Sequence, residues 1–501
     1  MTMMRRSGVL LHPTSLPGPH GSGDLGVHAR YFIDWLVSAG QSLWQFLPVG
    51  GVGDGNSPYM SDSAFAGNPA LIDLHELQSR GWLEATDLQP AAGFESRRIN
   101  FEVVTPWRMQ RLERASQRFF EQLGDNPALA QEFLEFRRRH DDWLADYALF
   151  KALSEAYAGR SWSEWPTGLA RRDPDALAAA RRQWALRIDH WCFVQWCFDR
   201  QWQALRDYAS ARAIRLLGDM PIFVALHSAD VWAHPELFQL DAAGHPEAVA
   251  GVPPDYFSVT GQRWGNPLYR WEAHAARGFD WWTARMRRAL QLADEVRIDH
   301  FRGFAAYWRV PMTAPDARTG EWVAGPGATL FEAMARVLGA LPVVAEDLGT
   351  ITPDVESLRQ QLGFPGMTVL QFAWDGNSSN NYLPHRHERN TVVYTGTHDN
   401  DTTHGWWQSL DEATRGYVAD YLCGNEGATA LMRAALASVA DTAILPMQDI
   451  LGPEVGQRMN TPGAATGCWQ WRFDWADVGP QPAAQMALWC ELYDRRARAN
   501  S

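Results

Sequence analysis

The sequence predicts an α/β fold built on an eight-stranded parallel barrel, with large, mainly helical insertions between strands. Three observations carry that expectation. Eight short apolar runs recur along the 501 residues, and several end in polar side chains. The runs are continuous rather than alternating, as expected of strands buried on both faces of a parallel sheet. The last five lie some 20 to 50 residues apart with helix-like segments between them, the spacing of βα units. Together these describe a TIM-type (β/α)8 barrel; an open doubly wound sheet is the alternative for the same pattern.

In order, the runs are Val9-Leu10-Leu11 before His12, Leu43 to Val49, Ile214 to Leu217 before Gly218-Asp219, and Val296 to Phe301. They continue with Val343-Val344-Ala345 before Glu346-Asp347, Met367 to Phe372, Thr391 to Tyr394 before Thr397-His398-Asp399, and Ala443 to Met447. The chain far exceeds the roughly 250 residues of a bare barrel, and two long gaps hold the excess. Residues 75–210 read as a mainly helical insertion: Thr105-Pro106 offers an N-cap followed by an N1 proline. Trp143, Tyr147 and Phe150, then Trp191, Phe198 and Trp202, recur at helical spacing, as helix packing requires. A second insertion, 226–290, carries the Gly- and Pro-rich segment 244–267 with Tyr256, Phe257 and Trp264. It is too long for an ordinary connection and reads as a lid. All of this is expected to form a single catalytic domain over residues 1–501.

Composition narrows the chemistry. Hydrophobic residues make up 46% and charged residues 21%, ordinary soluble usage without a membrane-spanning stretch. Lys and Arg number 45 against 58 Asp and Glu, a net charge of −13 that argues against nucleic acid or anionic lipid as partners. The only lysine is Lys151, in a helix-like stretch, so Schiff-base and pyridoxal chemistry lack their nucleophile. The five cysteines form no C-x-x-C pair and no H-E-x-x-H occurs, so neither a common metal site nor a cofactor is expected. Gly50 to Gly55 lacks the lysine of a phosphate-binding loop. The apolar stretch after Arg5-Arg6 stops at His12-Pro13, too short for a signal peptide, and a cytoplasmic location is the expectation.

Four runs end in acids, Asp219, Asp299, Glu346 and Asp399, and in a barrel of this type reacting groups project from the C-terminal strand ends. Side chains alternate along a strand, so Arg297, Asp299 and Phe301 are expected on one face, with the guanidinium favouring an ionised Asp299. Glu346 follows three apolar residues, and burial there would raise its pKa. Two carboxyls in unlike environments are the minimum equipment for cleaving a glycosidic bond. A divalent-metal site is the competing use of the same acids. The 25 Trp exceed the 22 Phe and 13 Tyr, and flat indoles match the C–H faces of sugar rings.

Several segments resemble the motifs of the amylomaltase family, the 4-α-glucanotransferases of glycoside hydrolase family 77. They are His12-Pro13-Thr14-Ser15-Leu16, Asn56-Ser57-Pro58-Tyr59, Gly218-Asp219-Met220-Pro221 and Val252-Pro253-Pro254-Asp255-Tyr256-Phe257. Gln262-Arg263-Trp264-Gly265-Asn266-Pro267, Arg297-Ile298-Asp299-His300-Phe301-Arg302-Gly303, Ala345-Glu346-Asp347-Leu348-Gly349 and Thr397-His398-Asp399-Asn400 complete the set. The resemblance implies that Asp299 is the nucleophile, Glu346 the acid/base and Asp399 the acid that steadies the transition state. It further implies substrate contacts from Tyr59, Asp219, Asp255, Tyr256, Phe257, Trp264, Asn266, Arg297, His300, His398 and Asn460. The implied substrates are maltooligosaccharides and α-1,4-glucans, with transfer by a retaining double displacement. One departure stands out: Cys468, before Trp469, replaces the second Asn of the family pattern. A hydrolytic α-amylase-like enzyme or a non-catalytic glucan-binding protein are the alternatives.

Overall fold

Each of the eight apolar runs forms a strand in the computed structural model, which describes residues 5–254, 258–349, 351–454, 456–464 and 466–496. In chain order the strands are β1 (Arg6–Leu10), β2 (Leu43–Gln45), β3 (Arg215–Pro221), β4 (Ala248–Val252), β5 (Gln262–Pro267) and β6 (Glu295–Asp299). They continue as β7 (Ala306–Pro311), β8 (Glu321–Ala324), β9 (Val343–Ala345), β10 (Gly366–Val369), β11 (Thr391–Tyr394) and β12 (Thr442–Pro446). Eight of them run parallel in the order β10-β11-β12-β1-β2-β3-β6-β9. The Ala345 N–H donates to the Pro365 carbonyl at 2.9 Å and joins the two ends, so the sheet is a nearly closed barrel. Burial on both faces explains why the strands read as unbroken apolar runs. Gly8 is needed where β1 crowds β2: a Cβ there would lie 2.6 Å from the Leu43 Cβ and carbonyl oxygen.

Several expected boundaries differ. The run Val296 to Phe301 stops as a strand at Asp299, because His300 takes the left-handed conformation with φ of 53° and turns the chain. Phe301 therefore leaves the Arg297 and Asp299 face and packs on Phe331, ring centroids 5.6 Å apart. Met367 to Phe372 divides into β10 and a 3-10 turn, Leu370–Phe372. Thr105-Pro106 does not start a helix. The helix Phe101–Leu123 begins earlier, with the Asn100 carbonyl accepting from the Val103 and Val104 amides, and Pro106 lies inside it.

Between β2 and β3 the long helices are Phe101–Leu123, Pro127–Arg139, Leu144–Ala156 and Ala185–Ser210. Their aromatics at positions 143, 147, 150, 191, 198 and 202 are all buried, which accounts for the helical spacing by packing. Trp202 also donates its indole N–H to the Leu292 carbonyl at 2.8 Å, tying this helical layer to the helix Asp280–Leu292 that leads into β6.

The segment 244–267 is not a bare loop. It contains β4 and β5, which form with β7 and β8 an antiparallel sheet in the order β5-β4-β7-β8. Asp255, Tyr256 and Phe257, at its expected tip, lie outside the described residues. No described helix is long and apolar enough to cross a membrane.

Candidate active site

Parallel pairing of β6 with β9 sets Arg297 beside Val344 and Ile298 beside Ala345. The next residue on each chain is an acid, Asp299 and Glu346. Both leave the C-terminal rim side by side, from backbones about 4.8 Å apart. The ladder continues past them, with the Glu346 amide donating to Ile298 and the Phe301 amide donating to Glu346, both at 3.0 Å.

Their surroundings differ. Arg297, buried within the barrel, donates to Asp299 Oδ1 at 2.9 Å and to both oxygens of Asp219 at 2.8 and 2.7 Å. Burial disfavours the guanidinium charge, but Asp219 and Asp299 more than offset it, and the Arg297 pKa stays well above its usual value. Among the described residues Glu346 has no such direct ion pair; its oxygens accept from the His300 and Leu348 amides at 2.7 and 3.0 Å. Its pKa is pushed up to about 7: burial is the largest cause, the Asp299 charge adds to it, and Arg297 and the two amides pull the other way. A carboxyl that is half protonated near neutrality can both give and take a proton there.

Asp399 occupies the loop after β11 and is held differently. Asn460 Nδ2 donates to its Oδ1 at 2.6 Å, and His398 Nε2 lies 3.3 Å from its Oδ2. Burial opposes the charge, but His398 and Asn460 hold the carboxyl well below the usual range. His398 moves in reciprocal fashion: burial lowers its pKa, Asp399 outweighs that, and the ring is favoured in its charged form. The His398 ring stacks on Tyr59 with centroids 5.2 Å apart, and Trp469 leans on both at 5.8 Å. The sequence assigns no role to Trp469, which follows the buried Cys468. Its left-handed φ of 65° leaves no mark in composition.

Two expected sugar contacts are turned inward. The Asp219 side chain is fully buried and accepts from Tyr59 Oη at 2.7 Å as well as from Arg297, so it reaches a ligand only through them. Asn266 is buried too; its amide donates to the Val224 carbonyl at 2.9 Å and fastens β5 to the chain leaving β3. Trp264 remains half-buried on β5, its indole set edge-on to His300 at 4.8 Å. Burial lowers the His300 pKa to about 4, with Asp299 opposing, so this ring is neutral above that range. Cys468 is buried, its thiol accepting from the Thr461 amide at 3.4 Å. Among the described residues, no group of three or more His, Cys, Asp or Glu side chains is arranged to hold a metal ion.

The rim thus carries paired acids at the ends of neighbouring strands, Asp299 and Glu346, and a third acid, Asp399, on the loop after β11. The family described as 4-alpha-glucanotransferase matches residues 11–477. The chain belongs to that family. It is 47% identical to the 4-alpha-glucanotransferase of Thermus thermophilus, over 99% of this chain and 100% of the relative. It is 48% identical to the enzyme of the same name from Synechocystis, over 98% of each. Among solved structures, the amylomaltase of Streptococcus agalactiae in complex with acarbose superposes with a TM-score of 0.95 at 37% identity, over 98% of this chain and 100% of that one. Family membership thus covers the barrel and its insertions together, and each site residue described above falls within the matched span.

Proposed function

We propose that this protein transfers α-1,4-glucan segments between maltooligosaccharides by a retaining double displacement. The observation that carries the reading is the adjacent placement of Asp299 and Glu346 with unlike surroundings. Retaining enzymes use carboxyls about 5 to 5.5 Å apart, and in-register residues on neighbouring strands suit that separation. Asp299, paired with Arg297, attacks the anomeric carbon while Glu346 gives its proton to the leaving 4-oxygen. An acceptor's 4-hydroxyl then displaces Asp299, losing its proton to Glu346. Asp399, kept ionised, stabilises the positive charge that develops on the ring.

Tyr59, Trp264, His300, His398 and Asn460 are proposed to line the sugar cleft, with Asp219 and Asn266 bracing it from beneath and Arg297 orienting Asp299. Asp255, Tyr256 and Phe257 are proposed to close over the substrate. Transfer must outcompete hydrolysis: water exceeds millimolar sugar by roughly four to five powers of ten, a handicap of about 6 kcal/mol. Acceptor binding under a water-excluding lid is the means proposed to recover it.

Incubating the purified chain with maltotriose tests the reading. Glucose together with maltopentaose and longer oligomers is the expected product set. Glucose and maltose alone would identify a hydrolase, and no turnover would identify a binding protein.

A further inference from the structure

Asp399 and Asn460 sit on two loops that are far apart in sequence, one after β11 and one after the helix Met447–Leu451 that follows β12. A third side chain spans both loops. Arg458 Nη2 donates to the Asp399 carbonyl at 2.7 Å, and Arg458 Nε donates to the Asn460 carbonyl at 2.5 Å. The same three-residue stretch supplies the Asn460 amide to the His398 carbonyl at 3.1 Å and the Asn460 side chain to Asp399 Oδ1 at 2.6 Å. Four hydrogen bonds therefore involve residues 458–460 within one patch of backbone, three of them crossing to His398 and Asp399.

We propose that Arg458 is a positioning residue that fixes the Asp399 carboxylate against the reacting sugar by clamping its loop to the Asn460 loop. The inference rests on the function proposed above, and in particular on Asp399 stabilising the transition state. Among the described residues no carboxylate pairs with Arg458, so its donors are directed to main-chain carbonyls. A guanidinium presents N–H groups in a fixed fork that can reach two acceptors at once, whereas an ammonium is a point donor on a flexible stem. A loop released by even 1 Å would weaken an interaction that matters most when charge develops, so the loss should appear in kcat more than in KM.

The test compares the full-length parent, Arg458→Ala and Arg458→Lys on maltotriose, with kcat, KM and thermal midpoint measured for each. For Arg458→Ala, kcat should fall about 10- to 100-fold while KM stays within about threefold. Guanidinium chloride, at a few tens of millimolar and well below denaturing levels, should restore part of the Arg458→Ala rate and leave the parent rate unchanged. A kcat within about twofold of the parent overturns the proposal, as does a loss that follows the thermal midpoint and is not restored by guanidinium. If Arg458→Ala does not fold, Arg458→Lys decides: reduced kcat at an unchanged midpoint supports the clamp, and parental kcat overturns it. A parent that makes no longer oligomers from maltotriose would instead refute the proposed function, leaving the two failures distinguishable.

Discussion

Glu346 and Asp399 are both carboxylic acids on the C-terminal rim of one barrel, and their proton affinities are driven in opposite directions. Glu346 is raised by burial, which with the Asp299 charge prevails over the Arg297 charge and two backbone amides. Asp399 faces a histidine ring and a carboxamide, and those partners prevail over burial. Two buried carboxyls on one rim thus differ in proton affinity because only one of them has a cationic ring and a carboxamide directly on its oxygens. A single guanidinium, that of Arg297, bonds both Asp299 and the buried Asp219.

Substituting each acid by its amide should sharpen this comparison most. Glu346→Gln should lower kcat on maltotriose by about 10²- to 10⁴-fold, the usual worth of a general acid/base. The loss should be smaller with a glucosyl fluoride donor, whose leaving group needs no proton. Asp399→Asn should also be severely impaired, but equally so with both donors. An Asp399→Asn variant rescued by the fluoride would reverse the assigned roles.

The pH profile gives a second, smaller effect. A Glu346 pKa near 7 means that the protonated acid is lost as pH rises through that value, so parental kcat should decline on the alkaline side. Residual Asp399→Asn activity should keep that limb, and Glu346→Gln should lack it. Stability follows the same sign. Because the folded-state pKa is raised above the unfolded value of 4.5, the stability this group contributes is fully present below about pH 4.5 and lost as pH rises through about 7. Glu346→Gln should therefore melt about 1–3 °C above the parent at pH 8, and that advantage should shrink toward pH 4.5, as scanning calorimetry would show.

The barrel strands were legible in the sequence because burial on both faces leaves largely apolar runs, and the acids because Glu346 directly follows one such run while Asp299 lies within another, where the strand ends. The antiparallel sheet was not. β4 is a short run of small apolar residues, Ala248–Val252, that ends at Pro253-Pro254 inside a Gly- and Pro-rich segment, and β8 is a largely exposed four-residue strand, so neither stands out from a loop in the sequence. The left-handed conformation of His300 was not legible either. That conformation lets its amide reach Glu346, a contact between two strands that no local pattern encodes. The inward turn of Asp219 likewise depends on Arg297 and Tyr59, which lie 78 and 160 residues away.

The smallest expected effect concerns Cys468, expected from the sequence to stand in place of an asparagine. The thiol accepts from the Thr461 amide at 3.4 Å and lies 3.8 Å from the Thr461 carbonyl, so it faces a donor and an acceptor on the same residue. An asparagine carboxamide offers an acceptor and a donor to match, with stronger bonds than a thiol forms. Cys468→Asn should therefore keep the loop that presents Asn460 and Trp469, changing kcat by less than about threefold and leaving the thermal midpoint level or slightly raised. Acceptor preference is the sensitive readout, because Trp469 leans on the Tyr59 and His398 pair at the cleft wall. A changed ratio of transfer to glucose over transfer to maltose, at unchanged stability, would mean that this loop selects acceptors. A large fall in kcat would mean instead that the thiol side of the loop positions Asp399 as strictly as the Asn460 side does.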